Sequence, residues 1–322
     1  MITNLQHLRA FAAINVVIFH IIVSATGYQQ SLPWFRLLQD WGQNGVDIFF
    51  VISGFIMLHT QLRQPKTAVA FIRQRLIRIV PLYWLLTLLV VLLLWLVPTL
   101  FRQLQLQADW VLASFLFSAQ WLTGLYPVIF VGWTLEWEML FYLLFGCALA
   151  LNAGPLLLPI LSVVLAAVAA LTGQWMLLEF VFGMLAAWLY HSYRLSAVAG
   201  LWLLLSGVVL LLLSLIPAVQ ALPLHRTLSW GLPAFLLVLG AVLAPAYQQA
   251  WLQRLGDASY SIYLLQILTI PACYKISVSL LPPGHPLLFA AASLGLTLLA
   301  ALLCYRYLEQ PMLQWLRRRF AD

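Results

Sequence analysis

The chain has 322 residues, of which 64% are hydrophobic and 8% are charged, and it carries a formal net charge of +7. Soluble domains contain about 25% charged residues, so this composition excludes an ordinary soluble fold, which needs polar residues to cover its surface. The positive charge does not indicate a nucleic-acid-binding protein, because the basic residues stand in short clusters between apolar runs, as in the cytoplasmic loops of membrane proteins.

Apolar segments of about 20 residues, the length that crosses a bilayer as a helix, recur along the whole chain. They predict an all-α, polytopic transmembrane helix bundle of about ten spans, in one integral membrane domain that covers residues 1–322. The predicted spans are 6–25, 44–62, 80–101, 131–150, 156–172, 174–190, 197–216, 228–246, 257–277 and 286–307. Residues 108–121 are apolar but too short for a full crossing, and they predict a re-entrant or interfacial segment.

The first predicted span contains two ionisable side chains, Arg9 and His20. Ionisable groups inside a bilayer are rare and are functional candidates by default. Eleven residues of helix are about 20° past three full turns, so the two side chains share a face and lie roughly 16 Å apart along the axis. Arg9 is therefore expected near the cytoplasmic surface and His20 in the outer half. The alternatives to a functional role are that Arg9 only anchors the helix at the membrane interface by snorkelling, and that His20 is a packing residue with satisfied hydrogen bonds.

Two later spans, which run from outside to inside, carry acidic residues at a depth similar to that of His20. Asp47 enters near the outer end of the second span, and Glu136 and Glu138 lie in the outer half of the fourth. The two glutamates are about 200° apart on a helix, so they do not share a face. A carboxylate beside a histidine fixes the ring tautomer and stabilises the imidazolium. His20 together with Asp47 or Glu138 is therefore a candidate general base.

The segment that enters the third span carries Arg75 and Arg78, which are three residues apart and project from one helix face. Paired guanidinium groups suit bidentate binding of phosphate oxygens. The alternative is that the basic residues here serve only topology and lipid headgroups. The three cysteines of the chain show no metal-ligand spacing, so no metal site is predicted.

Lysine and arginine are distributed unequally between the two sets of loops. Eleven of these residues lie on one side, in the loops that follow even-numbered spans and in the C-terminal tail. Four lie on the other side, in the loops that follow odd-numbered spans. Those four are Arg36, Arg102, Arg226 and Lys275. The excess of positive charge marks the cytoplasmic side, so both termini are predicted to be cytoplasmic.

Six motifs in this chain resemble, in order and spacing, those of the membrane acyltransferase 3 family. They are LRAFAAINVVIFH with Arg9 and His20, GVDIFFVISGFIM with Asp47, RLIRIVPLYW with Arg75 and Arg78, WTLEWEMLFY with Glu138, LGDASYSIYL, and the closing Tyr307, Glu309 and Pro311. The resemblance covers essentially the whole chain. The fourth motif is most similar to the branch that acetylates bacterial exopolysaccharides.

The resemblance implies transfer of an acyl group, commonly acetyl, from cytoplasmic acyl-CoA to a hydroxyl of a cell-surface polysaccharide or lipid-linked glycan at the bacterial inner membrane. Acyl-CoA would be a donor substrate, and no permanently bound cofactor is implied. The implied site residues are His20, Asp47 and Glu138 for catalysis, and Arg9, Arg75 and Arg78 for binding the donor. The expected partners are acyl-CoA, the glycan acceptor and membrane lipid, and no nucleic acid. A homo-oligomer or an association with polysaccharide assembly proteins stays open.

Departures from the family pattern and two rival hypotheses accompany the resemblance. Gln266 stands where many relatives carry a histidine, and Met139 where another branch carries a second glutamate. Ser53, in a polar Ser-Gly-Phe sequence expected to break the second span, is the nearest candidate for a covalent nucleophile. One rival is a transporter or flippase of a lipid-linked sugar or acyl carrier, against which the lack of an inverted sequence repeat counts. The other is a non-catalytic subunit of a polysaccharide assembly complex, against which the nearly intact set of motifs counts.

Overall fold

The computed structural model describes residues 2–30, 32, 35, 38, 40–100, 106–222, 225–280 and 285–320, and every regular element in these ranges is helical. The α-helices are α1 Thr3–Gly27, α2 Asn44–Arg63, α3 Ala68–Leu96, α4 Ala108–Phe115, α5 Ala119–Thr123, α6 Trp133–Ala150, α7 Leu157–Thr172, α8 Leu178–Ser192, α9 Ala197–Leu213, α10 Pro217–Gln220, α11 Leu232–Leu243, α12 Ala250–Asp257, α13 Ser259–Leu280, α14 Pro286–Cys304 and α15 Gln310–Arg319. A π-turn precedes α11, and a second π-turn joins α14 to α15.

The all-α fold that the sequence predicts is confirmed over the described residues, and the count of about ten spans stays a prediction. Six helical segments in the described ranges are long and apolar enough to cross a membrane by length and composition, and they contain α1, α2, α3, α7, α13 and α14. α9 and the segment Thr227–Leu243 are shorter apolar helices. Residue 101, the end of the third predicted span, lies outside the described residues together with Arg36 and Arg102.

Three local details differ from the sequence prediction. α3 begins before its predicted span, because the Thr67 side chain caps it by accepting a hydrogen bond from the Ala70 amide at 3.3 Å. The segment predicted to be re-entrant forms two short helices, α4 and α5, on either side of a turn in which Phe117 has φ 55°. α2 continues through Ser53 and Phe55 without the predicted break.

The centre of the bundle is built on α2, which packs against α8 on one side and α1 on another. Glycines allow the close approach of α2 and α8. A Cβ on Gly54 would lie 2.1 Å from the carbonyl oxygen of Phe180, and a Cβ on Gly183 would lie 2.0 Å from that of Val51. Backbone meets backbone at both contacts, so no side chain can move aside to make room.

Replacement of Gly54 by alanine is therefore expected to push α2 away from α8. Overpacking of a dense core costs about 1–3 kcal/mol, and thermal unfolding of the purified protein in detergent should reveal it. The control is Gly295→Ala, since no atom lies within 4 Å of a Cβ built at that glycine of α14. Equal stability of the two variants would contradict the close α2–α8 packing.

The start of α1, the α2–α3 loop and α15 meet at one end of the bundle, because Ile2, Arg63, Lys66 and Arg317 line one cavity there. We call this the basic end. Arg226 bonds to residues at the start of α2, and α2 runs from there to Arg63. Arg226 therefore marks the opposite end of the bundle.

Candidate functional site

A large cavity of about 1020 Å³ opens at the basic end, and we call it the vestibule. Among the described residues, seven arginines and lysines and one acidic residue, Asp257, line its wall. The basic residues are Arg9, Arg63, Lys66, Arg73, Arg75, Arg78 and Arg317. Burial lowers the pKa of Lys66, and the positive charge of Arg75 lowers it further. The vestibule is therefore a cavity that a polyanion would neutralise.

A smaller cavity of about 130 Å³, the inner chamber, adjoins the vestibule. The two cavities share Arg9, Ile56, Arg75 and Arg78 in their walls. The remaining wall of the chamber is apolar apart from Ser53, Glu138 and a few other hydroxyl-bearing side chains. Three guanidinium groups thus stand where a large charged cavity meets a small and mostly apolar one. This arrangement suits a ligand with an anionic body and a small uncharged end.

The three shared arginines differ in what they bind. Arg78 forms an ion pair with Glu309 at 2.8 Å, and the Glu309 side chain is fully buried. Arg9 donates to the Ser259 hydroxyl at 3.0 Å. Arg75 makes no hydrogen bond with the described residues, and its Nε is buried without a partner. Of the three, Arg75 has the most donor capacity left for a ligand.

The second oxygen of Glu309 accepts a hydrogen bond from Ser261 at 2.6 Å. Glu309 therefore joins α3, through Arg78, to α13 and to the turn before α15. The sequence motif that contains Glu309 was recognised, but this role was not predicted. Arg78 and Ser261 are both far from Glu309 in the sequence, so no local sequence spacing predicts these contacts.

Glu138 lies in the inner chamber, where two hydroxyl groups contact one of its oxygens. Ser53 donates to Glu138 Oε1 at 2.9 Å. Tyr142, one turn further along α6, donates to the same oxygen, and its hydroxyl lies 3.1 Å from Ser53 Oγ. The guanidinium of Arg75 is 6.0 Å from the Tyr142 ring centroid. A carboxylate, a hydroxyl and a cation thus surround one small space.

Glu136, in contrast, is buried outside the chamber. Its two oxygens accept hydrogen bonds from the backbone amides of Ala119 at 2.9 Å and of Gln120 at 3.2 Å. It thereby ties the start of α5 to α6. The sequence prediction that the two glutamates face different ways agrees with these contacts.

His20 does not line either cavity. Its Nδ1 lies 3.0 Å from the Val16 carbonyl oxygen and 3.1 Å from Gln266 Oε1. The ring is half-buried and meets Phe19 and Phe130 edge-on. Among the described residues, no carboxylate is within hydrogen-bonding distance of it. The expectation that Asp47 or Glu138 orients His20 is therefore wrong.

The contacts of His20 define its tautomer. The amide nitrogen of Gln266 donates to the Tyr263 carbonyl oxygen at 2.9 Å, so its oxygen must be the atom that faces His20. Both neighbours of Nδ1 are then acceptors, and the neutral ring carries its proton on Nδ1. The lone pair of Nε2 remains free, as in a histidine that acts as a base. Gln266 thus supplies the orientation that the sequence analysis assigned to a carboxylate.

Asp47 points to a different neighbour because of the face it occupies on α2. A Cβ on Gly45 would lie 2.3 Å from the Ala12 carbonyl oxygen, so position 45 faces α1. Two residues further along a helix the side chain has turned by about 200°. Asp47 therefore faces away from α1 and pairs with Arg226, whose guanidinium donates to its carboxylate at 2.8 Å and 3.1 Å.

Three side chains that line the inner chamber also contact one another, and we call them the partition: Phe49, Thr134 and Tyr263. The hydroxyls of Thr134 and Tyr263 are 2.7 Å apart, and the ring of Phe49 lies edge-on to that of Tyr263. The Tyr263 carbonyl also holds Gln266, the partner of His20. Tyr263 thus lines the chamber with its side chain and holds the partner of His20 with its backbone carbonyl.

Two comparisons with known proteins bear on this geometry. The family model described as an acyltransferase domain matches residues 2–306. The chain is 36% identical over 302 residues, which cover 86% of this chain and 92% of the relative, to the exopolysaccharide production protein ExoZ of Rhizobium meliloti (strain 1021). No solved structure matches the chain.

Proposed function

The chain belongs to the acyltransferase 3 family, and from this premise we propose that it is a membrane-embedded O-acyltransferase that moves an acetyl group from cytoplasmic acetyl-CoA to a hydroxyl of an extracytoplasmic polysaccharide or its lipid-linked precursor. The observation that carries the proposal is the arginine-lined vestibule that leads into a small chamber. Acetyl-CoA has the matching shape, with phosphates on a large body and a small acyl thioester at its end.

The donor would lie with its phosphates in the vestibule and its thioester in the inner chamber. Arg75, with an unpartnered buried Nε, is the strongest candidate to bind a phosphate or the thioester carbonyl. Arg78 is committed to Glu309, so it would shape the entrance rather than bind tightly. The thioester is already activated, so the protein needs chiefly to orient it and to stabilise the developing oxyanion.

Arg75→Lys is expected to weaken acetyl-CoA binding although the charge is retained, since lysine lacks the planar guanidinium fork. Arg75→Ala should weaken it further, by about 10–100-fold, from the loss of hydrogen bonds to a charged group. Equilibrium binding of acetyl-CoA to purified protein in detergent measures both. Arg194→Ala is the matched control, because Arg194 is exposed in the α8–α9 loop and lines neither cavity. If folded Arg75→Ala protein binds acetyl-CoA with native affinity, Arg75 serves only membrane topology or lipid contact.

The acceptor hydroxyl would arrive from the end opposite the vestibule and meet His20. His20 Nε2, free while Nδ1 is held by Val16 and Gln266, would take its proton. The acceptor oxygen would then attack the acyl carbon. Since His20 does not line the chamber, the acyl group and His20 would have to come together for the transfer.

Glu138→Gln is expected to lower turnover by about 100-fold or more, because it removes the one carboxylate among the described residues that line the inner chamber. Glu136→Gln should leave the turnover of folded protein near native. Its cost should instead be about 1–3 kcal/mol of stability, from weakened bonds to the start of α5. Acetyl transfer by monodisperse preparations and their thermal unfolding separate the two effects. If Glu136→Gln lowers turnover more than Glu138→Gln does, the face of α6 that lines the inner chamber is assigned wrongly.

The printed name of ExoZ supports a polysaccharide as the acceptor class. A bacterial inner-membrane location with about ten spans and cytoplasmic termini agrees with this role. In that orientation the vestibule would open to the cytoplasm, where acyl-CoA is made. The vestibule at the basic end supports that orientation as well.

The proposal is tested with purified protein, labelled acetyl-CoA and surface polysaccharide from a strain that lacks the gene. We expect consumption of the thioester and the appearance of label on the polysaccharide. A transporter or flippase would leave the thioester intact. Mass analysis of the surface polysaccharide with and without the gene should reveal the same acetyl groups in the cell, and unchanged acetylation would refute the acceptor class.

A further inference from the structure

The inner chamber contains the components of a covalent acyl-transfer site. We propose that Ser53 takes the acyl group from acyl-CoA as an ester, with Glu138 as its base, before the acceptor receives it. This inference rests on the proposed acyl-CoA donor and adds a step to the reaction. It starts from the inner chamber, whose lining includes Ser53 and Glu138 but not His20.

Ser53 has the surroundings of an activated nucleophile. Its side chain is buried but lines the inner chamber, and its hydroxyl donates to Glu138 Oε1 at 2.9 Å. A nucleophile and a base within hydrogen-bonding distance are the signature of nucleophilic catalysis. Glu138 makes no ion pair with the described residues, so its carboxylate is not neutralised by a dedicated cation.

The other candidate nucleophiles of the chamber are occupied differently. Thr134 is bonded to Tyr263, and Ser259 accepts from Arg9. No cysteine lines the chamber. The Tyr260 hydroxyl donates to the Ile79 carbonyl oxygen, whereas Tyr142 donates to Glu138. Among the described residues, Tyr142 is therefore the competitor that shares the proposed base with Ser53.

The chamber fits the acyl end of the donor in size and charge. Its volume of about 130 Å³ admits an acetyl group but not the body of CoA. The guanidinium groups of Arg9 and Arg75 line the same cavity and can donate to the oxyanion that develops when the hydroxyl attacks the thioester. A short acyl group on Ser53 would leave the charged carrier behind in the vestibule.

The two steps balance as follows. In the first, Ser53 Oγ bonds to the acyl carbon, its proton passes to Glu138, and the carbon–sulfur bond breaks. CoA leaves as a thiolate that takes a proton from cytoplasmic water. In the second, the acceptor oxygen bonds to the acyl carbon and loses its proton to His20, from which it passes to water. The bond from carbon to Ser53 Oγ breaks, and Glu138 returns its proton to that oxygen.

The test is trapping of the ester. Purified protein is mixed with labelled acetyl-CoA without acceptor, quenched in acid, digested and mapped by mass spectrometry. We expect one acetyl group on the peptide that contains Ser53. His20→Gln should accumulate this ester stoichiometrically after acceptor is added, because only the second step is blocked. Ser53→Ala should abolish both the label and transfer to polysaccharide.

Matched variants keep the outcome interpretable. Tyr142→Phe should still be labelled on Ser53, and Ser162→Ala, a serine of α7 bonded only within its own helix, should behave as wild type. The inference is overturned if His20→Gln stays unlabelled, if the label maps to Tyr142 or a cysteine, or if folded Ser53→Ala transfers acetyl groups at the native rate. The proposed function survives each of these results, and it fails if the wild type consumes no acetyl-CoA or if acetylation of the surface polysaccharide does not depend on the gene.

Discussion

Purified His20→Gln protein is expected to bind acetyl-CoA with native affinity and to lose about 10²–10⁴-fold in acetyl transfer, which is what a general base typically contributes. Glutamine keeps a hydrogen-bonding group near Val16 and Gln266, but it cannot accept and hold the acceptor's proton. Donor binding should persist because His20 lines neither the vestibule nor the inner chamber. Single-turnover transfer at saturating acetyl-CoA, together with equilibrium binding of the donor, measures the two effects separately.

If His20 has only a structural role, the opposite pattern of effects is expected. His20→Ala would then destabilise the fold by emptying a half-buried site beside Phe19 and Phe130, and His20→Gln would restore both stability and activity. Near-native turnover by a monodisperse His20→Gln preparation would therefore remove the base from the proposed mechanism. The pH profile adds a second readout, since transfer by the wild type should fall at low pH as the ring is protonated.

The sequence predicted the shared face of Arg9 and His20, and the structure confirms it. Both side chains bond to α13, Arg9 to Ser259 and His20 to Gln266. A spacing of eleven residues suffices for this inference, because helical geometry alone relates two positions on one helix. The same holds for Arg75 and Arg78 on α3.

The partners of these residues could not be predicted in the same way, since they depend on how separate helices are rotated against each other. Asp47 and His20 lie on neighbouring helices, yet the close contact of Gly45 with α1 turns Asp47 to Arg226. Gln266 was noted only as a departure from the family pattern. Its amide proved to be the group that orients His20.

Glu138 was predicted to lie near His20 because both residues fall at a similar depth of the membrane, and depth proved a weaker guide than helical spacing. The residue lies one helical turn beyond Thr134, which is already level with Tyr263 in the partition. Glu138 accepts a hydrogen bond from Ser53 in the inner chamber and makes none with His20. Assignment to an outer or inner half of a span was too coarse to separate Glu138 from His20.

The ion pair of Asp47 and Arg226 is expected to stabilise the end of the bundle opposite the vestibule. Asp47 is fully buried, and 27% of the Arg226 side chain is exposed. Arg226 also donates to Gln43 at 3.1 Å and lies 4.9 Å from the Trp230 ring centroid. Removal of one partner of a buried pair leaves an uncompensated charge, which costs about 3–5 kcal/mol. Arg226→Gln should therefore lower the free energy of unfolding by this amount in a denaturant titration in mixed micelles.

The double variant Asp47→Asn, Arg226→Gln separates the charge from the contact. It removes both charges and keeps two groups that can hydrogen-bond, so most of the lost stability should return. Because Asp47 faces away from α1, a folded double variant should also transfer acetyl groups at a rate close to native. If stability returns while turnover stays low, Asp47 acts in the chemistry by a route other than contact with His20. If stability does not return, the cost of Arg226→Gln comes from its bonds to Gln43 and Trp230 rather than from the buried carboxylate.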